Sequence, residues 1–463
     1  MTCARLAHGI HVTFHGAAQT VTGSMHLVET PHARILLDCG LMLGRREEVH
    51  LRNAQFPFAP NYIDAVLLSH AHIDHCGNLP NLVRQGFTGP IYCTPATRDL
   101  MAIMLADSAK IQKEEAAAAF KVDEFSTGTL YTGKEVAQTL EQCAIVPYGT
   151  LLEIAQGVRF QFLDAGHLLG SALTAVTCDF EGATCTVGYT GDLGRDALHF
   201  LHRPAALPPS DIIISESTYG GRVHHSAADL EQRLHEVVER TLQRGGKVLI
   251  PAFSLGRAQI VVHYLRQSMR QGRLPAAPIV VDSPLATQIA QVYRKHPGLL
   301  AEGVADTMSD HDMIHYVSDF AESRDISSRK GSCILVASGG MCEAGRIIHH
   351  LEKNLDDPRN TVLLVSYQAP GSLGRKMLER GPTVRIRNRK WNKWADIVDL
   401  NGFSGHADQL ELVRHLRPQA GRQPRVRLVH GELEQAKALA AALQAEGFID
   451  VAIPQREESV CAL

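Results

Sequence analysis

The sequence predicts an α/β protein of more than one folded unit, and three observations carry that expectation. Short β-rich runs separated by Gly-containing turns fill the N-terminal stretch, and wholly apolar strands alternate with helical segments from about Asp211 onward. The chain, at 463 residues, also exceeds one ordinary core, so about two or three domains are expected.

In chain order, HVTFHGAA, MHLVET, ARILLDCG and DAVLLSH read as a β-meander feeding a larger sheet. Residues 96–120 and 134–142 read as helices, the first carrying KIQKEEAAAAF with strong helix formers and no Gly or Pro. Then follow DIIISES, a helix from about Ala227 to Gln243, KVLIPAF, a helix from about Gly256, and PIVVDSP. Strands that are apolar throughout imply a parallel sheet covered on both faces. CILVASGG and TVLLVSY continue the pattern. After about Gly381 the texture shifts to VRIR, ADIVDLNG and VRLVHGE, strands expected to rejoin the first sheet.

Composition excludes several classes. Hydrophobic residues make up 45% and charged residues 21%, the balance of a folded globular protein. No apolar run approaches the ~20 residues of a membrane span, and the N-terminus MTCARLAHGIHVTF has no signal-peptide core, so a cytoplasmic protein with no membrane partner is expected. The ten cysteines form no C-x-x-C pair and suggest reduced thiols rather than a disulfide framework. A net charge of −3 means that any polyanion is held locally rather than by a basic body.

The motif with most chemical content is His70-Ala-His72-Ile-Asp74-His75, directly after the apolar strand DAVLLS. Residues one and three project from one side of an extended strand end, while the next Asp and His turn with the chain. Six residues can therefore feed two neighbouring metal sites. Imidazole and carboxylate suit Zn²⁺ with an open position for water, and Mn²⁺ or Fe²⁺ fill similar sites. His167 in AGH, Asp192 in TGDLGR and His406 in FSGHAD each end a strand-like run and supply further candidates. The His224-His225 pair and the histidines around 311–315 read as surface or packing residues.

With these motifs in place, the chain closely resembles the metallo-β-lactamase superfamily and, within it, the β-CASP nucleases that process RNA. The resemblance rests on Asp38 in ILLDCG, the HxHxDH segment, His167, Asp192, Glu216 in SESTYG and His406, in the family's order. It looks like a compact, stand-alone bacterial type, similar to the nuclease subunit of the mRNA 3′-end cleavage complex. It implies an αββα metallo-β-lactamase sandwich from 1–207 and 380–463 with an inserted α/β β-CASP domain at 208–379, and substrate between the two. By that resemblance one zinc takes His70, His72, His167 and Asp192, the other Asp74, His75, Asp192 and His406. Asp192 bridges, and Asp38 orients a ligand histidine.

The implied reaction is hydrolysis of phosphodiester bonds in single-stranded RNA by a water that two ions ~3.5–4 Å apart ionise. Asp74, Asp192, Glu216 and His406 are the implied catalytic residues. RNA-directed members carry His at the motif assigned to His406. The family's motif B His, which pairs with the Glu of SESTYG, has no counterpart in QAPGSLGRKML, where Arg375 and Lys376 stand instead. Ser338 and Gly339 in SGGM, with Lys376, are candidate phosphate contacts, because a Gly pair before a helix offers N–H groups to an anion. RIRNRKWNKW at 385–394 surrounds both tryptophans with cations, which suits a single strand or a solvated hairpin. A homodimer is compatible with this reading. Two other readings stand beside it: an RNA-binding scaffold with little or no catalysis, and a small-molecule ester or thioester hydrolase on the same fold.

Overall fold

A computed structural model of the chain describes residues 10–44, 46–120, 128–309 and 313–461. The N-terminal nine residues and His311 therefore lie outside the described residues. The chain divides into two compact units, one of 1–196, 202–223 and 406–463, the other of 197–201 and 224–405.

The first unit holds two seven-stranded sheets. One runs in the order Ser459–Cys461, His11–Phe14, His26–Glu29, Arg34–Leu37, Ala65–Leu67, Ile91–Cys93 and Cys143–Ile145. The other runs Val451–Ala452, Arg425–Val429, Ile212–Glu216, Ala183–Tyr189, Ala172–Phe180, Val158–Asp164 and Leu151–Ala155. Their facing sides interlock through Val12, Phe14, Ile35 and Leu37 from the first and Phe160, Phe162, Val176 and Ile214 from the second, all buried. Burying large apolar side chains from both sheets supplies the main favourable free energy, ~1.5–3 kcal/mol for each one fully buried. The outer face of the second sheet is covered by the helices Gln409–Leu416 and Leu433–Ala445, whose Leu412, Leu416, Leu439 and Leu443 pack on Ile213, Val426 and Leu428.

The N-terminal runs differ from a simple meander. The first three strands pair antiparallel, but Ala65–Leu67 pairs parallel to Arg34–Leu37 after the intervening helix Arg46–Ala54. The long helices fall where expected, at Pro95–Phe120 and Gly133–Glu141, the second started by a capping box in which Thr132 and Glu135 satisfy each other's backbone N–H groups.

The second unit is a six-stranded parallel sheet in the order Ile314–Val317, Ile279–Asp282, Ile334–Ser338, Val248–Ala252, Thr361–Leu364 and Asp396–Asp399. Helices Ala227–Gln243 and Arg257–Arg270 lie where the sequence pattern put them. The segment boundaries do not. Ile212–Glu216 pairs with Ala183–Tyr189 and Arg425–Val429, so it belongs to the first unit rather than to an inserted domain starting at 208. Thr383–Ile386 forms a hairpin with Arg389–Asn392, and Asp396–Asp399 pairs with Thr361–Leu364, so the chain returns to the first unit at 406 and not at 380. The physical reason is that a parallel strand's partner is set by long-range pairing, which apolar texture cannot reveal.

Candidate metal and active site

Several segments of the first unit converge at the ends of its strands. Leu68 and Ser69 extend the buried strand Ala65–Leu67 to His70, and His72 caps the short helix Ile73–Cys76, which turns Asp74 and His75. Gly40 makes room for this turn: a Cβ there would lie 1.7 Å from the Asp74 carbonyl oxygen. His167 sits in the loop after Val158–Asp164, where the Ser171 hydroxyl accepts from its backbone N–H at 3.1 Å. Gly194 passes so close to Gly166 that a Cβ would be 2.0 Å from that carbonyl, fixing the His167 and Asp192 loops against each other.

The ligand atoms of His70, His72, His167 and Asp192 lie within 4.8 Å of one another, and so do those of Asp74, His75 and His430. In the first group His72 Nδ1 is 3.0 Å from His70 Nε2 and 3.3 Å from His167 Nε2, while Asp192 Oδ2 is 3.4 Å and 3.5 Å from the same two Nε2 atoms. In the second, His430 Nε2 is 3.2 Å from His75 Nε2 and 3.3 Å from Asp74 Oδ2, and His75 Nε2 is 3.3 Å from Asp192 Oδ1. Tetrahedral ligands ~2.0–2.1 Å from one ion stand about 3.3 Å apart, so both groups have the spacing of a ligand set. Asp192 turns one oxygen to each.

Local electrostatics agree with a place for cations. Asp192 is buried and its Oδ1 accepts no hydrogen bond. Burial resists its ionisation, but the surrounding imidazoles, His430 and His75 foremost, hold its pKa well below the usual carboxylate range. Burial keeps His70 and His167 below the ordinary imidazole value and pushes His72 down to about 3, so all three are neutral and carry a lone pair. Burial also opposes charge on His75, yet Asp192 and Asp38 raise it well above the ordinary value: the pocket favours positive charge there.

Asp38 is buried and orients this ring. Its Oδ2 is 2.7 Å from His75 Nδ1 and accepts from the Tyr189 hydroxyl at 2.7 Å, while Oδ1 accepts from the Ser69 N–H at 2.7 Å. Three such bonds fix the carboxylate, and the carboxylate fixes which His75 nitrogen faces inward.

Two expectations are corrected by the geometry. His406 does not stand with Asp74 and His75; His430 does. His430 ends Arg425–Val429 with φ of 46°, its N–H donates to the Ala17 carbonyl at 2.7 Å, and its Nδ1 is 3.1 Å from the Thr218 hydroxyl and 3.4 Å from Asp192 Oδ1, while Nε2 faces His75 and Asp74. Its sequence signal was the one shared by His70 and His167, a titratable residue directly after an apolar strand in VRLVHGE. His406 instead places Nδ1 3.2 Å from both oxygens of Glu216, whose Oε1 also accepts from the Leu193 N–H at 2.6 Å. The His expected to pair with Glu216 is therefore present, in FSGHAD rather than in QAPGSLGRKML. Burial works against protonation of His406, but Glu216 and Asp192 outweigh it and raise its pKa to about 9.

The segment 15–24 buttresses this site: the Ser24 N–H donates to the Asp74 carbonyl at 2.8 Å, and the Ser24 hydroxyl lies 3.4 Å from His75 Nε2. The candidate phosphate contacts all belong to the second unit. Ser338 accepts from the Arg346 N–H at 3.3 Å, Gly339 has φ of +113° with a Cβ barred by the Ala344 carbonyl, and Lys376 is exposed on the helix Leu373–Leu378. His315, read as a surface residue, is exposed and pairs with Glu322 at 2.6 Å. Among the described residues no helix is long and apolar enough to cross a membrane.

The two sheets and the buried His/Asp groups are those of a metallo-hydrolase, and residues 19–226 match the metallo-beta-lactamase superfamily. Residues 258–377 match the Beta-Casp domain, and 394–454 match the Zn-dependent metallo-hydrolase RNA specificity domain. The chain is 37% identical over 438 residues to Ribonuclease TTHA0252 of Thermus thermophilus, covering 93% of this chain and 95% of that protein. It is 31% identical over 464 residues to Transcription termination factor FttA of Methanosarcina mazei, covering 95% of this chain and 70% of that one. A crystal structure of a protein of unknown function from Enterococcus faecalis V583 shares the fold at 13% identity, with a TM-score of 0.56 over 98% of this chain and all of that one. The chain belongs to the β-CASP family of RNA-processing nucleases within the metallo-β-lactamase superfamily.

Proposed function

We propose that the protein is a two-zinc ribonuclease that hydrolyses phosphodiester bonds of single-stranded RNA. The observation that carries this reading is the pair of ligand groups sharing Asp192, with the Glu216–His406 pair beside them. His70, His72, His167 and Asp192 would hold one ion, and Asp74, His75, His430 and Asp192 the other. Bound there, the ions supply a water acidified to near neutrality and positive charge for the phosphoryl oxygens.

The chain's own residues do the rest. Asp38 keeps His75 Nε2 turned inward, and Thr218 does the same for His430. Glu216 holds His406 by Nδ1, so that Nε2 keeps a proton at neutral pH and hands it to the departing ribose oxygen. Proton transfer of this kind contributes typically ~10²–10⁴ in rate. The choice of RNA no longer leans on His406 as a metal ligand; it is supported by the match of 394–454 to an RNA specificity domain and by the ribonuclease relative.

The test is incubation of metal-replete protein, and of His72→Ala, with end-labelled single-stranded RNA. The expected result is cleavage by the first and not by the second, with fragment lengths separating internal cuts from stepwise trimming. Equal activity of the two proteins, or hydrolysis of a thioester in place of RNA, overturns the reading.

A further inference from the structure

The hairpin of Thr383–Ile386 and Arg389–Asn392 carries charge that its own unit leaves uncompensated. Val384 and Ile386 are buried, and Trp391 is partly buried, against the cluster that also takes Leu373 and Met377, so the hairpin and the helix Leu373–Leu378 share one core. By strand alternation the opposite face carries Arg385 and Lys390, which are direct cross-strand partners. Cβ atoms in such a pair stand ~4.5–5.5 Å apart, and like charges so placed destabilise the sheet. Two other cations of the run are satisfied: Arg387 lies 3.4 Å from Glu352, and Lys393 donates to the Met377 and Glu379 carbonyls.

Arg385, Arg389 and Lys390 are exposed, as are Lys376 and Arg380 nearby in sequence, and among the described residues none of the five forms an ion pair. Trp394 ends the run 59% exposed while its backbone N–H is tied to the Leu355 carbonyl at 3.1 Å. An exposed indole on an anchored backbone, close in sequence to unpaired cations, is poorly explained by folding, since a polar residue would cost less in water. We infer that this face is a second RNA-holding surface, in which Arg385 and Lys390 jointly take a backbone phosphate and Trp394 stacks a base. It is separate from the His/Asp groups and rests on the reading that the substrate is RNA. An acidic protein segment would meet the same cations but would have no use for the indole, and the test distinguishes the two.

The experiment measures binding of a labelled single-stranded oligouridylate with phosphorothioate linkages, which slow hydrolysis, to the metal-replete protein over a range of salt. Arg385→Gln combined with Lys390→Gln is expected to weaken binding roughly tenfold and to flatten the slope of log affinity against log salt by about 0.7, the value for one phosphate on a single strand. Trp394→Ala is expected to weaken it roughly tenfold with the salt slope unchanged. Arg385→Glu places a carboxylate opposite Lys390, so it should bind RNA poorly while unfolding at no lower temperature, which separates lost binding from lost fold. Hydrolysis of bis(p-nitrophenyl) phosphate should stay at the parent rate in all variants. Unchanged affinity and slope in the Gln pair overturn the inference. So does polyglutamate held as tightly as RNA with no effect of Trp394→Ala, which would make this an acidic-protein surface. RNA affinity lost only together with the small-substrate rate would place the damage at the metal groups and also overturn it. A parent protein that binds RNA in this way yet cleaves none would sink the ribonuclease reading alone.

Discussion

His406 Nδ1 lies 3.2 Å from each carboxylate oxygen of Glu216, so the ring is gripped at that nitrogen. Glu216→Gln keeps the shape and an acceptor for the Leu193 N–H but removes the charge that sustains the imidazolium. The turnover rate is expected to fall ~10²–10⁴ with KM and bound metal little changed. The parent rate should decline on the alkaline side, where His406 loses its proton, and the variant's decline should begin at lower pH, because the Glu216 charge that raises His406 is gone. Identical pH–rate profiles would show that His406 is not the acid.

His406→Ala and His430→Ala separate the two histidines by metal content. The structure places only His430 with Asp74 and His75, so elemental analysis should find about one ion fewer per chain in His430→Ala and no change in His406→Ala. The opposite pattern would return His406 to the ligand set.

Asp38→Asn has a single acceptor oxygen, so it can keep the Ser69 N–H bond on one side or those of Tyr189 and His75 Nδ1–H on the other, but not both. Loss of such an orienting carboxylate typically costs ~10–100-fold in metal affinity. Competition with a chromogenic chelator measures it, and unchanged affinity would refute the orienting role.

His263 gives an acid-sensitive component of stability in the second unit. Burial lowers its pKa to about 4, and its Nδ1 is 2.6 Å from the Thr307 hydroxyl, which itself donates to the Val304 carbonyl. The folded value is depressed, so between about pH 6.5 and 4 the unfolded chain binds the extra proton. The contribution is complete above 6.5 and is lost as pH falls through 4, by at most about 3 kcal/mol. His263→Asn, which can still donate to Thr307, should show a smaller drop in unfolding free energy between pH 7.5 and 4.5; an equal drop would assign the acid sensitivity elsewhere.

Gly40→Ala tests the close packing under the second ligand group. Its Cβ would meet the Asp74 carbonyl carbon at 2.2 Å, so the helix Ile73–Cys76 must move, and with it Asp74 and His75. Loss of one ion with far-ultraviolet circular dichroism retained is expected; full metal content would mean the turn can yield elsewhere.

The parts of the site readable in sequence were those whose signal is local. His70, His72, Asp74 and His75 fall within six residues, and a single strand end brings them together. His430 was not readable in that way, because one histidine after RVRLV looks like any turn residue until the parallel pairing of Ile212–Glu216 with Arg425–Val429 sets it beside His75. The same pairing explains why Ile212–Glu216 was placed in the wrong unit: an apolar strand carries no mark of its neighbour. Helices were more legible than strand partners, since Ala227–Gln243 is fixed by its own periodicity and by the Ser226 cap.

Apart from 197–201, the chain leaves the two-sheet unit after 223 and returns at 406, having built the six strands of the parallel-sheet unit in between. During synthesis, then, His70 to Asp192 emerge ahead of most of the parallel-sheet unit, and His406 and His430 only after it. A chain that stops short of 406 carries His70, His72, His167 and Asp192 but lacks His406 and His430. The order of the polypeptide thus withholds two histidines of the site until the parallel-sheet unit has been made.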